Sequence, residues 1–496
     1  MPSGPEAFEE AVSLAEAASN QGNLLEAVTY YRKALTLQPE RADLWKTLGN
    51  LLKQAGDLEA AIDAYQQAVT VQPDYWTAYF NIGVVWQQQE AFDRAIDAYQ
   101  QALQWNPNDL DIYVNLGNCY EALNRFSEAI AAYNKILTSP SHVAAFNHAD
   151  WCKLGFLFES ALQFDKAEEF YQRSLALDPN FFDTRQNRAL LLLRLGNFEE
   201  GWQANECRWD GGNLAPRHFR QPQWDGSPLQ GRRILLHIEQ GLGDTIQFIR
   251  YAPLLAQQGG RVFFQCHPLL LDLLKCVEGI DYIFPLAVDQ PLPEYDVHAP
   301  LMSLPFLMGT TLETVPAQIP YIHFTEPRFQ LEQPSGTTLK VGIAWAGNSN
   351  YKRDQFRSTS LKFFQPLFEV SPTITFYSLQ KGPASQDIAS LPASVQLVDL
   401  GNQFQDFTDT ASAILQLNLV ISTDTSIVHA AGALGKPVWL LLDQLGDWRW
   451  LVGREDSPWY PTVRIFRQTQ LGDWKPLFEQ VAAALQDFKK NRDSRY

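Results

Sequence analysis

LVISTDTSIVHAAGALGKPVWLLL (419–442) decides how the C-terminal half is read. A buried strand, LNLVIST (417–423), stops at Asp424-Thr425-Ser426, and a helix of small residues starts at Ser426. A second apolar strand, KPVWLLL (436–442), follows directly. Unbroken apolar strands joined through a helix mark a parallel sheet covered on both faces. The helix's first N–H groups, with the Thr425 and Ser426 hydroxyls, form a ready anion site. His429 lies one turn in, among Ala430, Ala431, Gly432 and Ala433, which permit tight packing or a close ligand. Asp424 and Ser426 read alone are helix caps, and His429 alone a core histidine. With the basic cluster upstream, the whole segment reads as a diphosphate site.

That cluster follows KVGIAWAGN (340–348), a strand ending in a Gly/Asn turn at Asn348. Lys352, Arg353 and Arg357 come next, then Ser358, Thr359 and Ser360. TITFYSLQKG (373–382), VQLVDL (395–400) and a helix about 406–416 complete an alternation of strand and helix. Residues 338–487 are therefore expected to form one α/β lobe. The tail DWRWLVGREDSPWYPTVRIFRQ (447–468), dense in Trp and Arg, reads as a lid or interlobe contact. Arg449 or Arg454 is placed there either to reach a phosphate or to stack on Trp.

A preceding lobe, 234–335, opens with the strand ILLHI (234–238) and then EQGLGDTIQFIRYAPLL (239–255). Strand, Gly-rich turn and helix begin a doubly wound nucleotide-handling fold. Further strands are expected at 262–266, 282–286 and 295–300. Gly241 and Gly243 allow a ligand close to the backbone. Asp244 admits two readings: a helix N-terminal acid stabilised by capping and the helix dipole, or a general base.

Residues 211–233, rich in Gly, Pro and Trp, read as a packed connector capping what precedes them. Its basic residues and those just before it are Arg208, Arg217, Arg220, Arg232 and Arg233. Residues 5–210 repeat with a period of 34. Equivalent starts are Ala11, Trp45, Tyr79 and Tyr113, resuming from Trp151 after a slip near Pro140. Gly49, Gly83, Gly117 and Gly155 recur at one position, and Tyr65, Tyr99, Tyr133 and Tyr171 at another. A sixth copy from Arg185 is degraded, with Ala189, Gly201 and Asn205 at the Gly, Ala and Tyr positions. Small residues let paired helices close up, and units that cannot bury their apolar faces alone stack into a solenoid. Asn81 and Asn115 read either as solvated polar residues or as hands for a peptide backbone.

The bulk properties set outer limits. The chain has 496 residues and a net charge of −17, which disfavours nucleic acid and anionic membranes. No run of apolar residues is long enough to span a bilayer. The acidic start does not read as a secretory signal. The five cysteines (119, 152, 207, 266 and 276) contain no CxxC pair and suit reduced thiols in a cytoplasmic protein.

The repeats resemble the tetratricopeptide family, which implies a protein or peptide partner in the groove. Residues 231–487 resemble heptosyltransferases (glycosyltransferase family 9 type), through GLGDTIQFIRYAPLL, GIAWAGN with its basic residues, and STDTSIVHAAGALGKPVW. The resemblance implies a two-lobed GT-B fold and metal-independent, inverting transfer from a nucleoside-diphosphate sugar, with no cofactor. It puts Asp244 in the place of the general base. The donor would lie against Gly241, Gly243, Asn348, Lys352, Arg357, Asp424, Thr425, Ser426 and His429. Gln380 stands where the family often holds the ribose with an acid. The first lobe is short, so the acceptor, a glycan or a protein, need not be a lipopolysaccharide core. Repeats followed by GT-B also look like protein O-GlcNAc transferases, whose signatures are not evident. A repeat scaffold carrying a degenerate transferase is the alternative from another class.

Overall fold

The computed structural model describes residues 4–211, 219–287, 291–349, 354–392, 395 and 397–494. Two compact units divide at Pro179/Asn180. Among the described residues, no helix is long and apolar enough to cross a membrane.

The first unit is built from helix pairs: Gly4–Asn20 with Leu24–Leu37, Ala42–Gln54 with Leu58–Val71, Trp76–Gln88 with Phe92–Trp105, Leu110–Ala122 with Phe126–Leu137, and His148–Ser160 with Phe164–Leu177. The slip in the repeat is a short extra helix, Pro140–Ala144. The Gly–Tyr spacing has a steric cause. A Cβ on Gly49 or Gly83 would sit 2.5 Å from the ring of Tyr65 or Tyr99, and one on Gly117 2.6 Å from Tyr133. Gly155 meets Tyr171 in the same way. Each ring is anchored at its hydroxyl, Tyr99 donating to Gln87 Oε1 at 2.7 Å and Tyr65 to Asn50 Oδ1 at 2.7 Å. Gly83→Ala is therefore expected to lower stability. The overpacking cost of about 1–3 kcal/mol exceeds the gain of about 1 kcal/mol from better helix propensity. Guanidinium unfolding of the variant checks it; an unchanged or raised midpoint contradicts the wedge.

The second unit opens with the sixth pair, Phe182–Arg194 and Phe198–Asn205. The sequence reading carries the repeats to 210 with this pair as a degraded sixth copy; by its contacts the pair groups with the α/β unit. Phe198 and Trp202 carry an aromatic face that reaches Trp459, Trp448 and Phe248, with Trp202–Trp448 centroids 5.2 Å apart.

The first sheet comprises β1 (Arg233–His237), β2 (Arg261–Cys266), β3 (Ile280–Pro285) and β4 (Val297–Pro300), in the order β3-β2-β1-β4, all parallel. At the start of the connector Gly211 packs on Phe182, and further along Pro222–Trp224 runs along the outer edge of β4. His298 N donates to Pro222 O at 3.1 Å and Trp224 N to His298 O at 2.8 Å.

The second sheet comprises β5 (Leu339–Ala344), β6 (Ile374–Ser378), β7 (Leu397–Asp399), β8 (Leu419–Thr423), β9 (Val438–Leu442) and β10 (Val463–Arg467). Its order is β10-β9-β8-β5-β6-β7, again parallel. Renumbered within the lobe this is 3-2-1-4-5-6, the order of doubly wound dinucleotide-binding sheets. β10 lies inside the tail read from sequence as a lid. The last helix, Lys475–Asp493, packs Leu477, Phe478, Val481 and Leu485 onto this lobe and runs past the expected end at 487.

Candidate functional site

In the second sheet the strand order reverses between β5 and β8, which are neighbours. Ligands of open parallel sheets bind outside the carboxyl ends of the strands at such a point. Two turns meet there, Trp345–Asn348 after β5 and Asp424–Ser426 after β8.

The first turn is held by side chains. Gly347 N donates to Ser358 Oγ at 2.9 Å, and Ser358 Oγ donates to Asp354 Oδ1 at 2.9 Å. Arg357 Nε reaches the same oxygen at 3.0 Å, with its guanidinium against Gly347. Asn348 is exposed at the end of the turn. Lys352 lies outside the described residues. Gln380 does not present itself to a ligand, contrary to expectation. Its Oε1 accepts from Trp345 N and Ala346 N at 2.9 Å each, and its Nε2 donates to Ala346 O and Lys381 O at 3.0 Å each. With its amide saturated by backbone, Gln380 shapes the turn.

In the second turn Thr425 caps the helix Ser426–Ala433, its Oγ1 accepting from Ile427 N at 3.3 Å. Burial and the neighbouring Asp447 push the Asp424 carboxyl up to about 7, against the opposing pull of Arg449 and Arg357. Burial also pushes Asp447 upward, but Arg449 more than offsets this and keeps it below the ordinary range. His429 is buried, stacks on Trp450 with centroids 5.5 Å apart, and has Nδ1 2.9 Å from the Tyr460 hydroxyl. Burial, Arg449 and Arg250 hold its pKa down at about 3, so it is neutral at physiological pH.

The first lobe meets this turn directly. A Cβ on Gly243, in the helix Leu242–Phe248, would lie 2.9 Å from His429 Cδ2 and 3.6 Å from Ser426 Cα. Next to it, Asp244 Oδ2 accepts from Gly241 N at 2.9 Å, and Oδ1 pairs with Arg449 Nη2. The capping reading of Asp244 is thus realised, and an ion pair is added to it. Arg449 is buried, lies 4.2 Å over the Trp448 ring, and donates to Gln247 Oε1 at 2.7 Å and Asp447 Oδ1 at 2.8 Å. Arg449 stacks on Trp448, one of its two sequence readings, and also bridges the lobes through carboxylates. Arg454 pairs with Asp456 at 2.7 Å. Sequence reasoning missed Asp447, Arg250, Trp450 and Tyr460. The acid two residues before Arg449 was the only local signal.

In the first unit, Asn81 Nδ2 donates to Asn50 Oδ1 at 3.1 Å, tying successive repeats. Asn115 Nδ2 donates to Asp111 O at 2.8 Å, within its own helix.

Residues 9–74, 46–109, 87–139, 151–181 and 170–203 match family models described as tetratricopeptide repeat. The N-terminal part carries tetratricopeptide repeats. Among solved structures, this chain is similar to a MamA protein (23% identity, 36% of this chain, 94% of that one, TM-score 0.32). It is also similar to a tetratricopeptide repeat protein from Parabacteroides merdae (19%, 41% and 79%, TM-score 0.33). A third is YrrB, titled a TPR protein with an unusual peptide-binding site (20%, 36% and 91%, TM-score 0.33). Protein FlbA of Caulobacter vibrioides is 27% identical over 337 residues, 61% of this chain and 54% of FlbA. The chain thus spans about half the length of that curated relative, and the match is longer than the tetratricopeptide unit.

Proposed function

We propose that the second unit is a glycosyltransferase of the two-lobed GT-B type, similar to heptosyltransferases, that moves a sugar from a nucleoside-diphosphate donor to an acceptor recruited by the tetratricopeptide repeats. One observation carries the reading: Gly243 and Asp244 of the first lobe lie against Ser426, His429 and Arg449 of the second, at a switch point. Arg357, Arg449 and the start of the helix Ser426–Ala433 supply positive potential for the leaving diphosphate. Asp244 is the base that takes the acceptor's hydroxyl proton, which requires Arg449 to leave its carboxylate for the donor phosphates. The match to tetratricopeptide repeat models supports a peptide or protein in the groove. The five unbridged cysteines support a cytoplasmic location.

Nucleotide sugars that raise the melting temperature identify the donor, and its turnover is then measured. Asp244→Asn is expected to lower turnover by about 100-fold or more with donor binding retained. Undiminished turnover in the variant removes Asp244 from the mechanism.

A non-catalytic scaffold is the second reading, and the engagement of both Asp244 oxygens favours it. Capture of a peptide without binding of any nucleoside diphosphate by calorimetry would support the scaffold. A sugar found by mass spectrometry on a co-expressed partner protein would make the acceptor a protein, as in O-GlcNAc transfer.

A further inference from the structure

His429 has one ring nitrogen engaged and one open. Nδ1 faces the Tyr460 hydroxyl at 2.9 Å. Nε2 has no hydrogen-bond partner among the described residues, although the residue is only 5% exposed. Helical side chains lean toward the helix N-terminus. The open edge accordingly lies by Gly243, with Nε2 3.5 Å from where a Cβ on Gly243 would stand. A neutral imidazole carries its proton on one nitrogen only, so the group beyond Nδ1 decides what Nε2 offers.

That group is the end of a short relay. The Tyr321 hydroxyl donates to Ile246 O at 2.8 Å; a carbonyl only accepts, so the single Tyr321 proton is spent there. The Tyr321 oxygen accepts from Arg250 Nη2 at 3.1 Å. Arg250 donates also to Gln247 O at 2.8 Å, Trp459 O at 2.6 Å and Pro316 O at 3.2 Å. The Tyr460 proton then has two acceptors in reach, the Tyr321 oxygen at 3.3 Å and His429 Nδ1 at 2.9 Å. The imidazole nitrogen is nearer and is the stronger acceptor, whereas the Tyr321 oxygen already takes a charged donor. With Nδ1 accepting, the ring proton stays on Nε2.

We infer that Tyr460, held by Tyr321 and Arg250, is a positioning residue that fixes His429 as a neutral Nε2–H donor to an anionic oxygen at the start of the helix Ser426–Ala433. The anion class, a phosphate oxygen of a nucleoside diphosphate, rests on the function proposed above; the tautomer does not. The charged groups facing the ring are Arg449 and Arg250, which disfavour a second proton, and Asp447, which favours one. The cations and burial prevail, leaving a donor whose charge does not change across neutral pH.

Two measurements on the full chain test this. Nitrogen-15 histidine spectra, with His429→Gln assigning the resonance, are expected to show His429 neutral and protonated on Nε2 at both pH 7 and pH 5. In Tyr460→Phe the proton is expected to spread onto Nδ1. A wild-type ring protonated on Nδ1, or on both nitrogens, overturns the inference, and this spectrum needs no variant to fold. An unchanged tautomer in Tyr460→Phe overturns the role of Tyr460. By calorimetry, inorganic pyrophosphate is expected to bind Tyr460→Phe about 5–10-fold more weakly than wild type, the loss of one neutral hydrogen bond. Equal affinity overturns the positioning role. Pyrophosphate that fails to bind the wild-type chain overturns the anion assignment and with it the transferase reading, and the spectrum still decides the tautomer.

Discussion

Arg208→Met is expected to destabilise the second unit by about 3–5 kcal/mol, the cost of leaving a buried charge without its partner. Arg208 and Glu239 side chains are each 2% exposed and pair at 2.8 Å. Arg208 also donates to Glu206 at 2.6 Å and to Ser303 Oγ at 2.7 Å, and Met302 N donates to Glu239 at 2.9 Å. Glu239 follows β1 and Met302 follows β4, the neighbours between which the first sheet's order reverses. Arg208 ties together the segments that leave β1 and β4 at that point. Burial raises the Glu239 pKa and Arg208 works against that rise, so removal of Arg208 leaves burial and Glu206 opposed by the Met302 N–H alone. Arg208→Met with Glu239→Gln is expected to recover most of the loss, since a buried pair replaced as a pair is often near neutral. Guanidinium unfolding followed by near-ultraviolet circular dichroism gives both numbers. A single-variant loss below about 1 kcal/mol would mean the pair contributes no more than a surface bridge. The same contacts fix where the α/β unit starts. A chain cut at 180 keeps Arg208 and Trp202, whereas one cut at 210, where the repeat pattern fades, removes both.

What could be read from sequence was what neighbouring residues dictate. The Gly–Tyr wedge spans one helix pair, so Gly83 and Tyr99 keep a fixed spacing and announce the repeat. Strands such as LVIST and VWLLL are buried on both faces and read as apolar runs. β10 escaped because VRIFR is an edge strand with alternating arginines, set in a tail whose Trp and Arg content suggested surface chemistry. The sixth helix pair keeps the repeat's spacing but takes its partners, Phe248, Trp448 and Trp459, from distant chain, which periodicity does not record. The same holds for the site. Asp244, Gly243, Ser426 and His429 were found as local turn and helix-start signals, and they do converge. The Asp244–Arg449 contact joins residues 205 positions apart and left no local trace beyond Asp447. The sequence sets Gln380 near a donor; that its amide is held by the backbone of Trp345, Ala346 and Lys381 is visible only in three dimensions.

The site's two displaced titrations are expected to pull stability in opposite directions with pH, and single variants separate them. Asp424 ionises near pH 7 in the fold against 3.8 for an ordinary aspartate. Between those values the folded state holds the extra proton, so this group makes stability fall as pH rises from about 4 to 7. His429 titrates near pH 3 against an ordinary 6.5. Between those values the unfolded chain holds the extra proton, so this group makes stability rise from about pH 3 to 6.5. In the wild-type chain the two contributions largely cancel between pH 4 and 6.5. Asp424→Asn removes the falling arm: its stability relative to wild type is expected to climb by about 2–4 kcal/mol from pH 4 to 7. His429→Gln removes the rising arm, and its stability relative to wild type is expected to decline by a similar amount from pH 3 to 6.5. Differences against wild type at each pH, from unfolding midpoints and slopes, cancel the remaining carboxylates. The charges responsible are few: Asp447, Arg449 and Arg357 around Asp424, and Arg449, Arg250 and Asp447 around His429. Two slopes of the same sign would show that Asp424 and His429 do not share the buried field of Arg449. A flat Asp424→Asn difference would show that the carboxyl is solvated and that the switch-point turn is open to water.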